Sequence, residues 1–97
     1  MQHVVIRRWS GAAQLIGEME RRKDEVERLI RQASGFGAYY AARTGADGLV
    51  SITICDDKAG TDESSRLARE WVQQNVPGLT MGAPEVTDGE AFIEFWR

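Results

Sequence analysis

Cysteine, proline and histidine are nearly absent from this chain of 97 residues, which has one cysteine, two prolines and one histidine. A lone Cys55 excludes an internal disulfide and every paired-cysteine zinc or redox motif, and it fits a reducing compartment. With His3 as the single histidine and no clustered ligands, no metal site is legible. No apolar run approaches the roughly 20 residues that a membrane span needs, and the charges at Arg7 and Arg8 follow the short N-terminal apolar run instead of preceding it. No membrane association and a cytoplasmic location are therefore expected. An excess of one charge sign is missing too: twelve basic residues face fifteen acidic ones, for a formal net charge of −3. The basic residues are interleaved with acidic ones, which argues against a nucleic-acid partner.

What is present is the material for one small domain. A chain of this length buries only about two-thirds of the surface that its unfolded form exposes, so its core is modest and a second copy would add useful apolar burial. Element order repeats loosely, strand then helix then strand, in each half. Residues 2–9 alternate as a strand, with Val4, Ile6 and Arg8 on one face and His3, Val5, Arg7 and Trp9 on the other. Ser10 is the expected cap of a long amphipathic helix over 12–33, in which Leu15, Met19, Val26, Leu29, Ile30 and Ala33 recur at helical spacing. The charged residues between them, including the pairs Glu18 with Arg22 and Glu27 with Arg31, read as a solvated face. Gly35 suits the left-handed end of that helix.

A hairpin follows, with strands over 36–44 and 49–55 joined by Gly45-Ala46-Asp47-Gly48. In its second arm Val50, Ile52 and Ile54 share one face, and Leu49, Ser51, Thr53 and Cys55 form a smaller, partly polar face suited to a cavity or a partner. Residues 56–63 read as a loop with Thr61 or Asp62 capping a second helix over 63–75. Leu67, Ala68, Trp71, Val72 and Asn75 form its inner stripe, and Pro77 stops it. The tail, 83–96, alternates as a last strand ending in Ala91-Phe92-Ile93-Glu94-Phe95-Trp96.

The order β-α-β-β-α-β gives an α+β, ferredoxin-like arrangement: a four-stranded antiparallel sheet with both helices on one face. The other face is bare. With Val5, Trp9, Leu49 and Phe92 or Phe95 assigned to it, that face is an apolar patch too large for a monomer, and a homodimer through the sheet is expected.

Gly35-Phe36 followed by Tyr39, the Asp47-Gly48 turn, the strand ending at Asp56 and the helix carrying Trp71 together resemble the dimeric α/β-barrel superfamily. Within it, the chain is similar to antibiotic-biosynthesis-monooxygenase-like domains over nearly its whole length. The resemblance implies a homodimer with two facing sheets and a small-molecule pocket between sheet and helices in each subunit. Some members of such families are cofactor-independent oxygenases acting on aromatic substrates, and others degrade haem. The haem-degrading members use a pocket Asn, a helix Trp and a haem-ligating His; only Trp71 has a matching position, His3 lies on a strand, and Arg7 or Arg8 stands where the Asn is expected. Haem degradation is thereby disfavoured and no cofactor is expected.

Arg7, Tyr39, Tyr40 and Trp71 are the candidate pocket residues, offering charge, hydrogen bonds and an apolar wall around a substrate anion. Each has an ordinary alternative: Trp71 as core, His3 as a half-exposed strand residue, Cys55 as a small buried hydrophobe, and one tyrosine on each face of its strand. Two functions follow. One is a non-catalytic dimeric module that binds a small apolar or aromatic molecule or simply assembles. The other is a cofactor-independent, monooxygenase-like enzyme. The lack of a convincing acid/base pair, nucleophile or metal cluster favours the module.

Overall fold

The computed structural model describes residues 1–76, 78 and 82–97. Seven elements follow one another: β1 (His3–Trp9), α1 (Ala13–Arg21), α2 (Lys23–Ile30), β2 (Phe36–Thr44), β3 (Gly48–Cys55), α3 (Lys58–Asn75) and β4 (Glu85–Glu90). The four strands form one antiparallel sheet in the order β2-β3-β1-β4. The expected α+β sheet is present, with three helices in place of two.

The first helical region is broken at Arg22, whose backbone (φ −112°, ψ 33°) leaves helical geometry. Arg22 lies within ion-pair distance of Glu18 and Glu25 and hydrogen-bonds the Asn75 side chain at the end of α3. The break turns two amphipathic segments so that Leu15 from the first and Ile30 from the second are both buried. Ser10 does not cap α1; Gly11 takes φ +62°, and the Ala12 N–H donates to the Asp47 carbonyl at 2.7 Å. A long-range backbone bond thus replaces the local side-chain cap.

The second helix starts five residues earlier than its composition implies, because Asp57, not Thr61 or Asp62, is the cap. Its side chain accepts from the Gly60 N–H at 3.1 Å. Gly60, which reads as loop, is buried inside the first turn: a Cβ there would lie 2.1 Å from the Ser34 carbonyl oxygen and 2.8 Å from Cys55 Cβ. The glycine lets α3 approach β3 closely. Gly60→Ala is therefore expected to destabilise by about 1–3 kcal/mol despite alanine's better helix propensity. Gly17→Ala in α1, where a Cβ meets nothing within 4 Å, is the control. It is expected to stabilise by about 0.5–1 kcal/mol; urea unfolding of the two variants should give opposite signs. The expected stop at Pro77 lies outside the described residues, and α3 ends at Asn75.

Which strand face is covered reverses the expectation. Val5, Trp9 and Leu49, assigned above to the bare face, lie under the helices: Val5 and Leu49 are buried, and Trp9 packs against the core of Ala12, Leu15, Leu49, Trp71 and Val76. In β3 the buried set is Leu49, Ser51, Thr53 and Cys55, while Val50, Ile52 and Ile54 are only half-buried. Small polar side chains admit a close helix and find hydrogen-bond partners beneath it, so Val50, Ile52 and Ile54 are turned outward. Period-two alternation separates the two faces without saying which is covered.

The last strand is shorter than expected. β4 ends at Glu90, and the ladder beyond it is limited to the Ala91 N–H donating to the Gln2 carbonyl at 2.8 Å. Its partner β1 begins at His3, and residues 92–97 belong to no strand of the described residues. Phe92, Phe95 and Trp96 are 80%, 90% and 69% exposed. Phe92 and Phe95 thus sit on a solvent-exposed tail and not on the sheet.

Candidate functional site

Arg7 sits at the centre of β1, opposite Ser51 of β3, on the face that α3 covers. It is 2% exposed. Its Nε donates to Ser65 Oγ at 3.2 Å; Nη1 donates to Ser51 Oγ at 3.3 Å and Thr53 Oγ1 at 3.1 Å; Nη2 donates to Ser64 Oγ at 2.7 Å and Ser65 Oγ at 2.9 Å. All five guanidinium hydrogens are thereby matched by hydroxyl oxygens. Among the described residues no buried side-chain nitrogen or oxygen lacks a partner. Hydroxyls satisfy the donors without cancelling the charge, so burial pushes the Arg7 pKa down, opposed by Tyr39 and Cys55. An arginine remains a cation even so.

Two cavities flank the core. One, of about 550 Å³, opens between α3 and the β1–β4 edge, with Arg7, Ser65 and Arg69 among its polar lining and Trp9, Val72, Val76 and Val86 among its apolar walls. The other, of about 690 Å³, lies between α1, α2 and β2 and is lined by residues including Ile16, Met19, Val26, Ile30, Tyr39 and Leu49. Both volumes fall in the range of small-molecule sites.

The four candidate pocket residues do not converge on one space. Arg7 lies on the first cavity and Tyr39 on the second; Trp71 lines neither and fills the core between them. Tyr40 borders the second cavity but is 62% exposed, opposite Ile52 on the uncovered face. Burial holds the Tyr39 phenol above its usual range, with Arg7 and then Ser51 pulling it back, so those two groups link Tyr39 to the arginine across the sheet. Trp71 is 7% exposed, and its indole N–H donates to Glu25 Oε2 at 3.2 Å. The space beneath Trp71 is packed core.

His3 acquires a carboxylate neighbour that the sequence did not show: its Nε2 lies 2.7 Å from Asp88 Oδ2. The pair depends on the β1–β4 register and has no local signal. Asp88 is held below the usual carboxylate range by that bond and by Lys58, but it sits outside both cavities. Cys55 is fully buried, and burial followed by Asp56 and Asp57 pushes its thiol up, which makes it a poor nucleophile. Among the described residues no group of three or more His, Cys, Asp or Glu is placed to hold a metal, and none of their helices is long and apolar enough to cross a membrane.

Ser51 and Thr53 lie on the β3 face that the sequence marks as suited to a cavity or a partner, whereas Ser64, Ser65 and Arg69 of α3 join the site only through the fold. Ser64 has a usable signal. It precedes Leu67, Ala68 and Trp71 by three, four and seven residues and so falls on the inner stripe, where a hydroxyl requires a polar partner.

No protein-family model and no curated protein matches this chain. Among solved structures it is similar to a dimeric ferredoxin-like protein from an uncultured marine organism, at 8% identity over 100% of both chains with a TM-score of 0.76. A candidate antibiotic biosynthesis monooxygenase from Bordetella bronchiseptica is similar at 11% identity, over 95% of this chain and 98% of that one, with a TM-score of 0.70. SnoaB, a cofactor-independent oxygenase from Streptomyces nogalater, matches at 16% identity, over 96% of this chain and 95% of that one, with a TM-score of 0.65. The fold of this chain is therefore the ferredoxin-like one that these monooxygenase-like proteins share.

Proposed function

We propose that this chain is a homodimeric small-molecule-binding protein, with one ligand seat per subunit in the cavity between α3, β1 and β4. The observation that carries the reading is a buried cation, Arg7, held rigidly by hydroxyls at the base of a cavity with largely apolar walls. A few fixed polar groups beneath apolar walls are what small-molecule sites consist of. Pairing of two copies through the sheet is supported by the uncovered face, where Val4, Ile6, Val50, Ile52 and Ile54 are half-buried with no helix over them, and by the exposed aromatic tail. Patches of this kind mark interfaces. Likeness to a dimeric ferredoxin-like protein supports the same arrangement.

Native mass spectrometry of the purified protein tests both parts, because it reports subunit number and any retained small molecule. A dimer mass is expected at micromolar concentration; a strictly monomeric mass overturns the dimer. A second reading, a cofactor-independent monooxygenase-like enzyme, is supported by the Arg7 charge beside Tyr39 and by the likeness to SnoaB. Such a site would stabilise a substrate anion while excluding water. Oxygen-electrode traces on a phenol and quinol panel separate the two readings. Uptake that is lost in Arg7→Lys or Tyr39→Phe, with the oligomer retained, favours the enzyme.

A further inference from the structure

We propose that the cavity beside α3 takes an apolar or aromatic molecule carrying one carboxylate, whose charge is received by the Ser65 hydroxyl and Arg69 over the buried Arg7. This rests on the small-ligand reading above and adds the charge of the ligand.

The first ground is an unbalanced charge. Among the described residues no carboxylate lies within ion-pair distance of Arg7 or Arg69, although the acids nearest in sequence on α3, Glu63 and Glu70, both engage Arg66. None of the residues named for the cavity is acidic. A buried cation without a counter-ion is strongly unfavourable, and a chain carrying fifteen acidic residues has left this one uncompensated. An anion entering the cavity completes the pair.

The second ground is directional. The Ser65 oxygen accepts from Arg7 twice, through Nε and Nη2. A hydroxyl has two acceptor positions and one hydrogen, so with both acceptor positions used its hydrogen remains to be given. It meets no acceptor among the described residues, whereas neighbouring Ser64 donates to the Thr61 carbonyl at 2.7 Å. Ser65 lines the cavity, so this hydrogen is available to an atom placed there. Arg7 itself has no donor left; it acts through Ser65 as a positioning and polarising group. A hydroxyl whose oxygen is held by a guanidinium is a strengthened donor, and it favours an ionised acceptor over a neutral one.

The third ground is the limit on charge. One available hydroxyl, one further arginine and the neutral Gln73 amide offer a single free positive charge, which suits a monoanion, while the Trp9, Val72 and Val86 walls ask for an apolar body. A doubly charged phosphate would leave oxygens facing those walls without donors.

Calorimetric titration of the full chain with benzoate, 2-naphthoate and anthracene-2-carboxylate, each beside its neutral carboxamide, tests this directly. The carboxylate of the best-fitting pair is expected to bind at least about tenfold more tightly than its amide. Ser65→Ala and Arg69→Gln, with melting curves confirming the fold, should each remove most of that preference while leaving amide binding in place. If amide and carboxylate bind equally, the anion assignment is overturned and the small-ligand reading stands. If no pair binds, both fall. A preference that survives intact in Ser65→Ala overturns the role of Ser65.

Discussion

Trp71→Ala is expected to lower the unfolding free energy by about 3–5 kcal/mol. The indole is 7% exposed and packs with Ala12, Leu15, Leu49 and Val76, so it joins α1, α3 and the sheet in one cluster. Of its cluster partners, Leu15 and Ala12 are themselves fully buried and Leu49 is fixed in the central part of the sheet, so refilling of its volume falls to the partly buried residues around the cluster, such as Met19. The loss is mostly packing, since the indole hydrogen bond at 3.2 Å goes to Glu25, an exposed carboxylate that water readily re-solvates. Trp71→Phe keeps most of the volume and should cost about 1 kcal/mol. In a domain of this size each kcal/mol moves Tm by about 4–8 °C, so the alanine variant should melt at least about 12 °C lower. Both variants must be compared at one protomer concentration, because any self-association stabilises the native state by mass action. A loss below about 1 kcal/mol for Trp71→Ala would contradict its place in the core.

The ordinary reading of Trp71 as core was available from its helical spacing alone, and so was the order of the strands and helices. The misses share one cause, which is that they depend on contacts between elements. Gly60 carries a loop signal in isolation, yet it is helical because Asp57 caps the turn and because Ser34 and Cys55 leave no room for a Cβ. The alternation of Leu49 to Cys55 separates two faces correctly, but covering the polar one requires Arg7 from one neighbouring strand and Ser64 and Ser65 from α3. A mixed face reads as poor core only while its partners are unknown. The tail alternates like a strand through Trp96, yet the strand ends at Glu90, with one further backbone bond from Ala91 to Gln2; where a strand stops depends on pairing with its neighbour, which alternation does not report. Arg7 and Tyr39 were both legible as chemistry-bearing residues. Their separation into two cavities was not, because it depends on how the helices pack over the sheet: Trp71 lines neither cavity and belongs to a core cluster whose members border both.

Ile52→Lys is expected to convert the proposed dimer into a folded monomer. Ile52 pairs with Ile6 in β1 and Tyr40 in β2, which places it in the middle of the uncovered face. In a lone chain that position is only half-buried, so a lysine there reaches water with its ammonium and should change monomer stability by no more than about 0.5 kcal/mol. Across a twofold interface the same substitution appears twice. Each copy buries an ammonium, and each removes a β-branched side chain from the contact. At several kcal/mol for every unpaired buried charge, the two together should weaken self-association by about a thousandfold or more. Sedimentation equilibrium over a concentration series measures this directly, and circular dichroism shows whether the chain remains folded. An unchanged dimer in Ile52→Lys would move the interface away from this face and leave the exposed Phe92, Phe95 and Trp96 tail as the surface to test next.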